Sequence, residues 1–592
     1  MSVTNIEQLP NEILLEIDRY LSPYDVLTLF LNLNSRFNLT ISDYKYNLDL
    51  SQDISLEKFS HLCTNILPLI NNSICKLTLN DGYSPYQMFI FNTKQYDYSF
   101  PNLVCLTLKE FNDSGIDLLI NMLIKSINLK ILIITYTNQD QGPWHSSTIT
   151  LLDYYIFCHK NNLEKLEISA ASNGIILSEQ LYPNLFIKDV RLSLRTLDDL
   201  FILFEIIPMV ERLYVHIDEE KMTKQFSSTK LPQYLKEFHF ETTNVKLLSY
   251  SNLEVLLYSI PTLESISIEL QTDDLDYLNG ILWRYLLYYL PNVRKFKLVI
   301  QLFNNPYVNC QDVLDTFAIS SDFWLNDMNI NFKCYSSKKK VYLDTIPYHF
   351  LTDGDWFNTS IFQQEGSLST EKFIRVYRLT IESSHEQLAI SKWFSVINQF
   401  PFLQELVIIA MNISEQQDDN SMSLIRLPHL RRFFFYRSTY NKTNLNFLSK
   451  LLQKMPNLKT FGVYYAELMY IIKRINEPWF QNINQLDIYI TRSDGQIRMR
   501  DIEQISNIFF NIKHLKLIIN SYTSMRRTQR ECIVCELLNC FKNLISFQIG
   551  CSKNLKLKFL NDEWLKQNVN SLKTEQRIFK TGYGKNYFSL WL

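Results

Sequence analysis

Along most of this chain the apolar positions recur in one short phrase. An apolar residue is followed by two variable residues, an apolar one, one variable residue and a third apolar one. The phrase reads PNLVCLTL at 101–108, NLEKLEI at 162–168, PMVERLYV at 208–215, PTLESISI at 261–268 and PNVRKFKL at 291–298. It returns as PFLQELVI at 401–408, PHLRRFFF at 428–435, PNLKTFGV at 456–463, NIKHLKLI at 511–518 and KNLISFQI at 542–549. Its closing alternation predicts a short strand with one buried face. Between phrases the period becomes helical. In NFLSKLLQKM (446–455), Phe447, Leu448, Leu451 and Leu452 fall on one stripe, and LDDLFILFEII (197–207) and WRYLLYYL (283–290) behave alike. The spacing from Leu235 to Leu263 is 28 residues, from Leu403 to Leu430 it is 27, and from Leu430 to Leu458 it is 28. A strand–helix unit of that size cannot cover its own apolar face, so successive units must stack into a continuous core.

The opening of the chain lacks the phrase. In LPNEILLEIDRYLSPYDV (9–26), Pro10 suits a first helical position, and Ile13, Leu14, Ile17 and Leu21 share a helix face. Ser22-Pro23-Tyr24-Asp25 starts a second helix: Ser22 can cap, Pro23 can occupy the first turn and Asp25 can reach back. Val26, Leu27, Leu29, Phe30 and Leu33 make that helix strongly apolar, and Asn34 can cap a third through about Ile41. Three helices this short bury little surface alone, so the unit needs a partner or the rest of the chain to cover it.

These residues carry a resemblance. Leu9-Pro10-x-Glu12-Ile13-Leu14-x-x-Ile17, then Tyr20-Leu21-x-Pro23-x-Asp25-x-Leu27, is similar to an F-box, and Asn34-Ser35-Arg36-Phe37 resembles the motif's basic-aromatic ending. Asp18 stands where the family often has an aromatic, and Phe37 comes one residue late. The resemblance implies docking onto the Skp adaptor, and through it a cullin, of an SCF-type cullin–RING E3 ubiquitin ligase. It assigns the adaptor contact to Leu9, Pro10, Ile13, Leu14, Ile17, Leu21, Pro23 and Leu27. The remainder of such a protein usually holds the substrate, and the repeat phrase resembles that of leucine-rich repeats; helical-pair repeats are the rival architecture.

The expected fold is thus α/β: a small three-helix F-box at 3–50, then a curved leucine-rich-repeat-like solenoid with parallel strands inside and helices outside. The array is expected at 60–335 and 371–560, separated by an irregular insertion or hinge at 336–370 and closed by a cap or tail at 561–592. The single residue between the last two apolar positions of each phrase should line the inner face. Reading down the chain gives Thr107, Glu167, Ser193, Tyr214, His239, Ser267 and Lys297, then Thr380, Val407, Phe434, Lys516 and Gln548. This column carries no stripe of one charge, which favours a protein ligand over a polyanion. Tyr214, His239 and Phe434 are the candidate target-binding anchors.

Composition narrows the chemistry. With 59 basic and 61 acidic side chains in 592 residues there is no basic footprint for nucleic acid. Only 12 glycines leave little for phosphate-cradling loops. No signal peptide and no apolar run long enough to span a bilayer is visible, and ten scattered cysteines read as reduced thiols. The expected location is cytoplasmic, nuclear or both, with no membrane partner. Cys532-x-x-Cys535 has no second pair at zinc spacing and reads as helix packing. Gly582-Tyr583-Gly584-Lys585 lacks the spacing of a phosphate loop, Lys338–Lys340 reads as a solvated loop, and the nine histidines form no metalloprotease motif. No catalytic constellation, cofactor site or metal site emerges. The leading expectation is a non-catalytic substrate receptor; a scaffold outside any ligase, or an enzyme with an unrecognised site in the irregular stretch 333–370, are the alternatives.

Overall fold

In the computed structural model the chain forms two units, Met1–His349 and Phe350–Leu592. The structure describes residues 9–592, outside the stretches 137–152, 218–230, 347–355, 359–377, 383–396, 412–426, 520–526, 552–559 and 573–578 and shorter breaks of one to five residues. The architecture is α/β, with two open sheets of mostly parallel strands and helices connecting successive strands of each.

The helical opening follows its sequence signals. Helix α1 spans Asn11–Asp18, α2 Pro23–Phe30, α3 Ser35–Thr40 and α4 Ser42–Tyr46. Ser22 caps α2 by accepting from the Asp25 amide (3.2 Å) while its hydroxyl donates to the Asp25 carboxylate (2.7 Å), and Pro23 takes the first turn. Asn34 caps α3 by accepting from the Phe37 amide (3.0 Å). Asn32, at φ 62°, makes the turn between them in the left-handed region that asparagine tolerates. Phe30 and Phe37 stack at 5.1 Å inside the unit, and Arg36 donates to Asn11 Oδ1 (2.7 Å) and to the Leu9 carbonyl.

This unit is continuous with the sheet. Strand β1 (Asn47–Asp49) follows α4 directly and pairs with β2 (Lys76–Asn80), so residues expected to close the F-box already belong to the array, ahead of its expected start at 60. Asp25 also accepts from Lys58 Nζ (2.8 Å), and Tyr24 lies edge-on to His61 at 5.8 Å, which ties α2 to the helix Leu56–His61.

The first sheet continues through β3 (Cys105–Phe111), β4 (Ile131–Tyr136), β5 (Lys165–Ser169), β6 (Asp189–Leu194), β7 (Arg212–Ile217), β8 (Glu237–Thr242), β9 (Ser265–Thr272) and β10 (Lys295–Phe303), all parallel to their neighbours. An antiparallel hairpin, β11 (Asn331–Ser337) and β12 (Lys340–Ile346), closes its last edge in the order β10–β12–β11. The second sheet comprises β13 (Trp356–Asn358), β14 (Arg378–Glu382), β15 (Glu405–Met411), β16 (Arg432–Ser438), β17 (Thr460–Tyr464), β18 (Gln485–Ile490), β19 (His514–Ile519) and β20 (Ser546–Cys551), again parallel. Its closing hairpin is β21 (Lys580–Tyr583) and β22 (Tyr587–Trp591), in the order β20–β22–β21. The 336–370 stretch is therefore no simple insertion: it holds most of one sheet's closing hairpin and the first strand of the next. In the C-terminal segment β22 pairs along the edge of β20.

The expected helices are present as Leu197–Ile206, Gly280–Tyr288 and Lys442–Leu452. Strand residues such as Leu213, Val215 and Ile217 are fully buried, and in the second unit helix and strand apolar residues share one core. A second device stitches successive repeats. The asparagine that opens many phrases donates its side-chain amide to a backbone carbonyl of the preceding phrase. Asn102 reaches the Asn72 carbonyl (2.7 Å), Asn128 that of Pro101 (2.7 Å), Asn162 that of Ile127 (3.1 Å) and Asn292 that of Pro261 (3.0 Å). In the second unit Asn457 reaches Pro428 (2.8 Å), Asn482 Pro456 (3.1 Å), Asn511 Gln481 (2.9 Å) and Asn543 Phe510 (3.0 Å). These carbonyls lie in turns outside the strand ladders, so the amides satisfy groups that would otherwise depend on water.

Candidate functional site

The eight residues assigned to adaptor contact do not share one surface. Leu14 (1% exposed) and Leu27 (0%) are interior, packed within the helical unit. Pro10 and Ile13 are exposed, while Leu9, Ile17, Leu21 and Pro23 are half-buried. The physical reason lies in the helix geometry. Each short helix has apolar residues on two sides, and the side that includes Leu14, Val26, Leu27, Phe30 and Phe37 builds the unit's own interior. What stays open is Ile13 (48% exposed), Leu15, Leu29 (57%), Leu33 and Leu39 (73%). Leu15, Leu29, Leu33 and Leu39 were not among the expected contacts, although their apolar character on otherwise polar helix sides was the available signal. Five exposed large aliphatics within some 27 positions of so small a unit is more than scattered surface leucines require.

Strand register defines the face opposite the buried strand residues. In the first sheet the row runs Thr78, Thr107, Ile133, Glu167, Arg191, Tyr214, His239, Ser267, Lys297. Six of the seven expected positions lie in it. Ser193 does not: DVRLSL offers two apolar–x–apolar choices, and pairing with β5 and β7 places Arg191 in the row and Ser193 in the next one, beside His216, Glu241 and Glu269. In the second sheet the row runs Asn358, Thr380, Val407, Phe434, Gly462, Asp487, Lys516, Gln548, Ser589. All five expected positions are there, together with the unexpected Gly462 and Asp487.

Tyr214 and His239 stand side by side, with rings 5.5 Å apart. Around them the charges are matched. The Arg191 guanidinium lies 5.7 Å from the Tyr214 ring, the Tyr214 hydroxyl is 3.4 Å from Glu237, Lys297 pairs with Glu269, and His216 Nδ1 is 3.5 Å from Glu241. Arg212 pairs with Asp189 at 2.9 Å. Burial holds the His239 imidazole below the usual histidine range, despite the nearby Glu269 and Glu241 carboxylates. Burial alone would lift the Glu241 carboxyl, but the His216 hydrogen bond and the surrounding cations outweigh it and hold it low. Ser267, between His239 and Lys297 in the row, is buried, and among the described residues its hydroxyl has no hydrogen-bond partner.

Phe434, the third expected anchor, sits in a different setting. Gly462 on the neighbouring strand carries no side chain, and Phe434 leans over it; a Cβ added at Gly462 would collide with Phe434 Cδ1. In the adjacent row Tyr436 and Tyr489 bring their hydroxyls to 2.9 Å, with rings edge-to-face at 5.0 Å, and Tyr464 lies 5.7 Å from Tyr489. Asp487, 4% exposed, stands beside Gly462 in the row and accepts a hydrogen bond from Gln485 Nε2 (3.1 Å). Burial pushes its carboxyl up, and the attraction of Lys516 and His514 does not bring it back.

Cys532 and Cys535 lie three apart on the helix Arg527–Cys540, and burial, with Cys532 and two glutamates nearby, pushes the Cys535 thiol up to about 11, against thiolate chemistry. Gly582 and Tyr583 belong to β21, while Gly584, Lys585, Lys338 and Lys339 lie outside the described residues. Among the described residues no cluster of histidine, cysteine and carboxylate could hold a metal ion, and no helix is long and apolar enough to cross a membrane. No family model matches the chain, and no curated protein matches it at a significant level.

Proposed function

We propose that this chain is a non-catalytic substrate-recognition subunit of an SCF-type cullin–RING E3 ubiquitin ligase. In this reading the helices of residues 11–46 are an F-box-like unit that docks on the Skp adaptor. The two strand–helix arrays are leucine-rich-repeat-like, and their helix-free faces hold a protein target. The contribution to ubiquitin transfer is effective concentration: a target held on the array spends its time beside the ligase's catalytic subunits. The observation that carries the reading is the exposed set Ile13, Leu15, Leu29, Leu33 and Leu39 on a unit whose interior is already filled by Leu14, Val26, Leu27, Phe30 and Phe37. A surface of that kind gains free energy only when something covers it.

Co-purification of the full chain with a Skp adaptor tests the docking step. The wild type should retain the adaptor, and Leu29→Asp with Leu33→Asp should release it while leaving the far-UV circular dichroism spectrum unchanged, because neither side chain is part of the interior. A wild-type chain that retains no adaptor, or a charged variant that retains it fully, would sink the ligase reading and leave a scaffold.

A further inference from the structure

We infer that the helix-free face of the second sheet recognises an arginine side chain of a protein segment, with Asp487 as its carboxylate partner and Phe434, Tyr436 and Tyr489 as its aromatic walls. The inference deepens the receptor reading and rests on it in one respect: the arginine belongs to the captured target.

Three observations converge. Asp487 is almost fully buried, yet among the described residues it forms no ion pair, and it accepts a hydrogen bond from a neutral amide, Gln485. A carboxylate removed from water in this way is stabilised by a cation that brings its own hydrogen-bond donors. Beside it the register assembles rings from two neighbouring rows. Phe434 leans toward Asp487 across Gly462, where any side chain would block it, and Tyr436 and Tyr489 hold each other edge-to-face. Aromatic faces attract a cation placed over them, and a guanidinium adds planar stacking and a two-pronged hydrogen bond to carboxylate that an ammonium lacks. Third, the cation already in the row does not fill the role. Lys516 neighbours Asp487 on β19 but makes no hydrogen bond or ion pair among the described residues, and the Asp487 carboxyl remains pushed up despite it. Its long stem can carry the ammonium outward to solvent when another cation arrives. His514, the other nearby cationic group, is engaged with the Ser546 hydroxyl at 2.8 Å.

The test uses the full chain and a capped Gly-Gly-Arg-Gly-Gly peptide against the same peptide with citrulline, which keeps the shape and removes the charge. Ligand-observed NMR at about 1 mM peptide reads weak binding of this size. The arginine peptide should bind about tenfold more tightly than the citrulline peptide, a difference typical of one charge-assisted contact. Asp487→Asn should erase that preference, and Tyr436→Leu should weaken the arginine peptide. Equal binding of the two peptides, no binding of either, or an arginine preference that survives Asp487→Asn overturns the inference. The peptide comparison on the unaltered chain stands even if a variant fails to fold. Adaptor co-purification separates the two readings: adaptor retention without arginine preference removes this inference alone, and arginine preference without adaptor retention removes the ligase reading alone.

Discussion

The two sheets are built alike and dressed differently. Each is a run of parallel strands closed by an antiparallel hairpin, stitched by the same asparagine bonds, with one strand face committed to the core. On the opposite face the first sheet pairs its charges among themselves, Lys297 with Glu269 and His216 with Glu241. The second sheet carries rings and a buried acid that forms no ion pair among the described residues. A partner of the first face must break pairs already made and desolvate both halves, so little of the contact energy survives. A partner of the second face supplies a charge that is missing. The comparison teaches that a shared backbone register does not imply a shared ligand chemistry, and that the less settled face is the better candidate for recognition.

Five outcomes would break or sharpen that contrast. The largest effect is expected for Gly462→Leu, which forces Phe434 off its strand neighbour and should cost about 3 kcal/mol, the upper end for overpacking. Phe434→Leu in the same chain should recover much of it; hydrogen exchange confined to the second sheet would locate the loss. Next come two substitutions of opposite sign. Lys297→Met strands Glu269 and should cost about 2 kcal/mol, at the low side for a buried pair because Glu269 keeps a solvent-facing edge. Asp487→Asn should instead raise the Tm of the second unit by roughly 2–4 °C, as about 1 kcal/mol does in a unit of this size. A stability loss on Asp487→Asn would mean the acid is already compensated, and the contrast between the faces would fail.

The asparagine bonds should not distinguish the units. Asn128→Ala and Asn482→Ala are each expected to cost about 0.5–1 kcal/mol, the net value of one hydrogen bond, read from chemical denaturation. Smallest is a pH effect that runs in opposite directions. His239 has its folded pKa lowered, so its contribution is present above the ordinary histidine pKa and is lost as pH falls through the folded value. Asp487 has its folded pKa raised, so its contribution is present below the ordinary aspartate pKa and is lost as pH rises through the folded value. Hydrogen exchange resolved by unit should show acidification loosening the first sheet and tightening the second, with His239→Asn and Asp487→Asn flattening one response each.

Much of this was legible in one dimension because the signals are local. Ser22-Pro23 and Asn34 mark helix starts through hydrogen bonds that span three residues, and the alternation in PNLKTFGV or PTLESISI marks a strand through its own period. The five expected inner-face positions of the second sheet all fall in one row for the same reason. Where sequence reading failed, the deciding information was not local. β1 is three residues long and exists because β2 offers it an edge. Ser193 and Arg191 are equivalent within DVRLSL, and only pairing with β5 and β7 separates them. Gly462 and Asp487 sit in phrases of the expected form, yet their importance depends on neighbours 28 and 29 residues away, Phe434 and Lys516.

By itself, then, the amino-acid order determined which segments become strands and helices, where the helices of the opening begin, and which strand positions turn away from the core. Those outcomes follow from backbone hydrogen bonds and side-chain periods that close within a few residues. The tertiary structure alone decided that Leu14 and Leu27 face inward while Leu29 and Leu39 stay open, and that the opening helices run straight into the sheet. It also decided that one face neutralises itself while the other keeps an acid among rings. Each of those depends on which side chain a neighbouring strand or helix brings within a few ångströms, and burial and pairing, unlike periodicity, are properties of that neighbourhood.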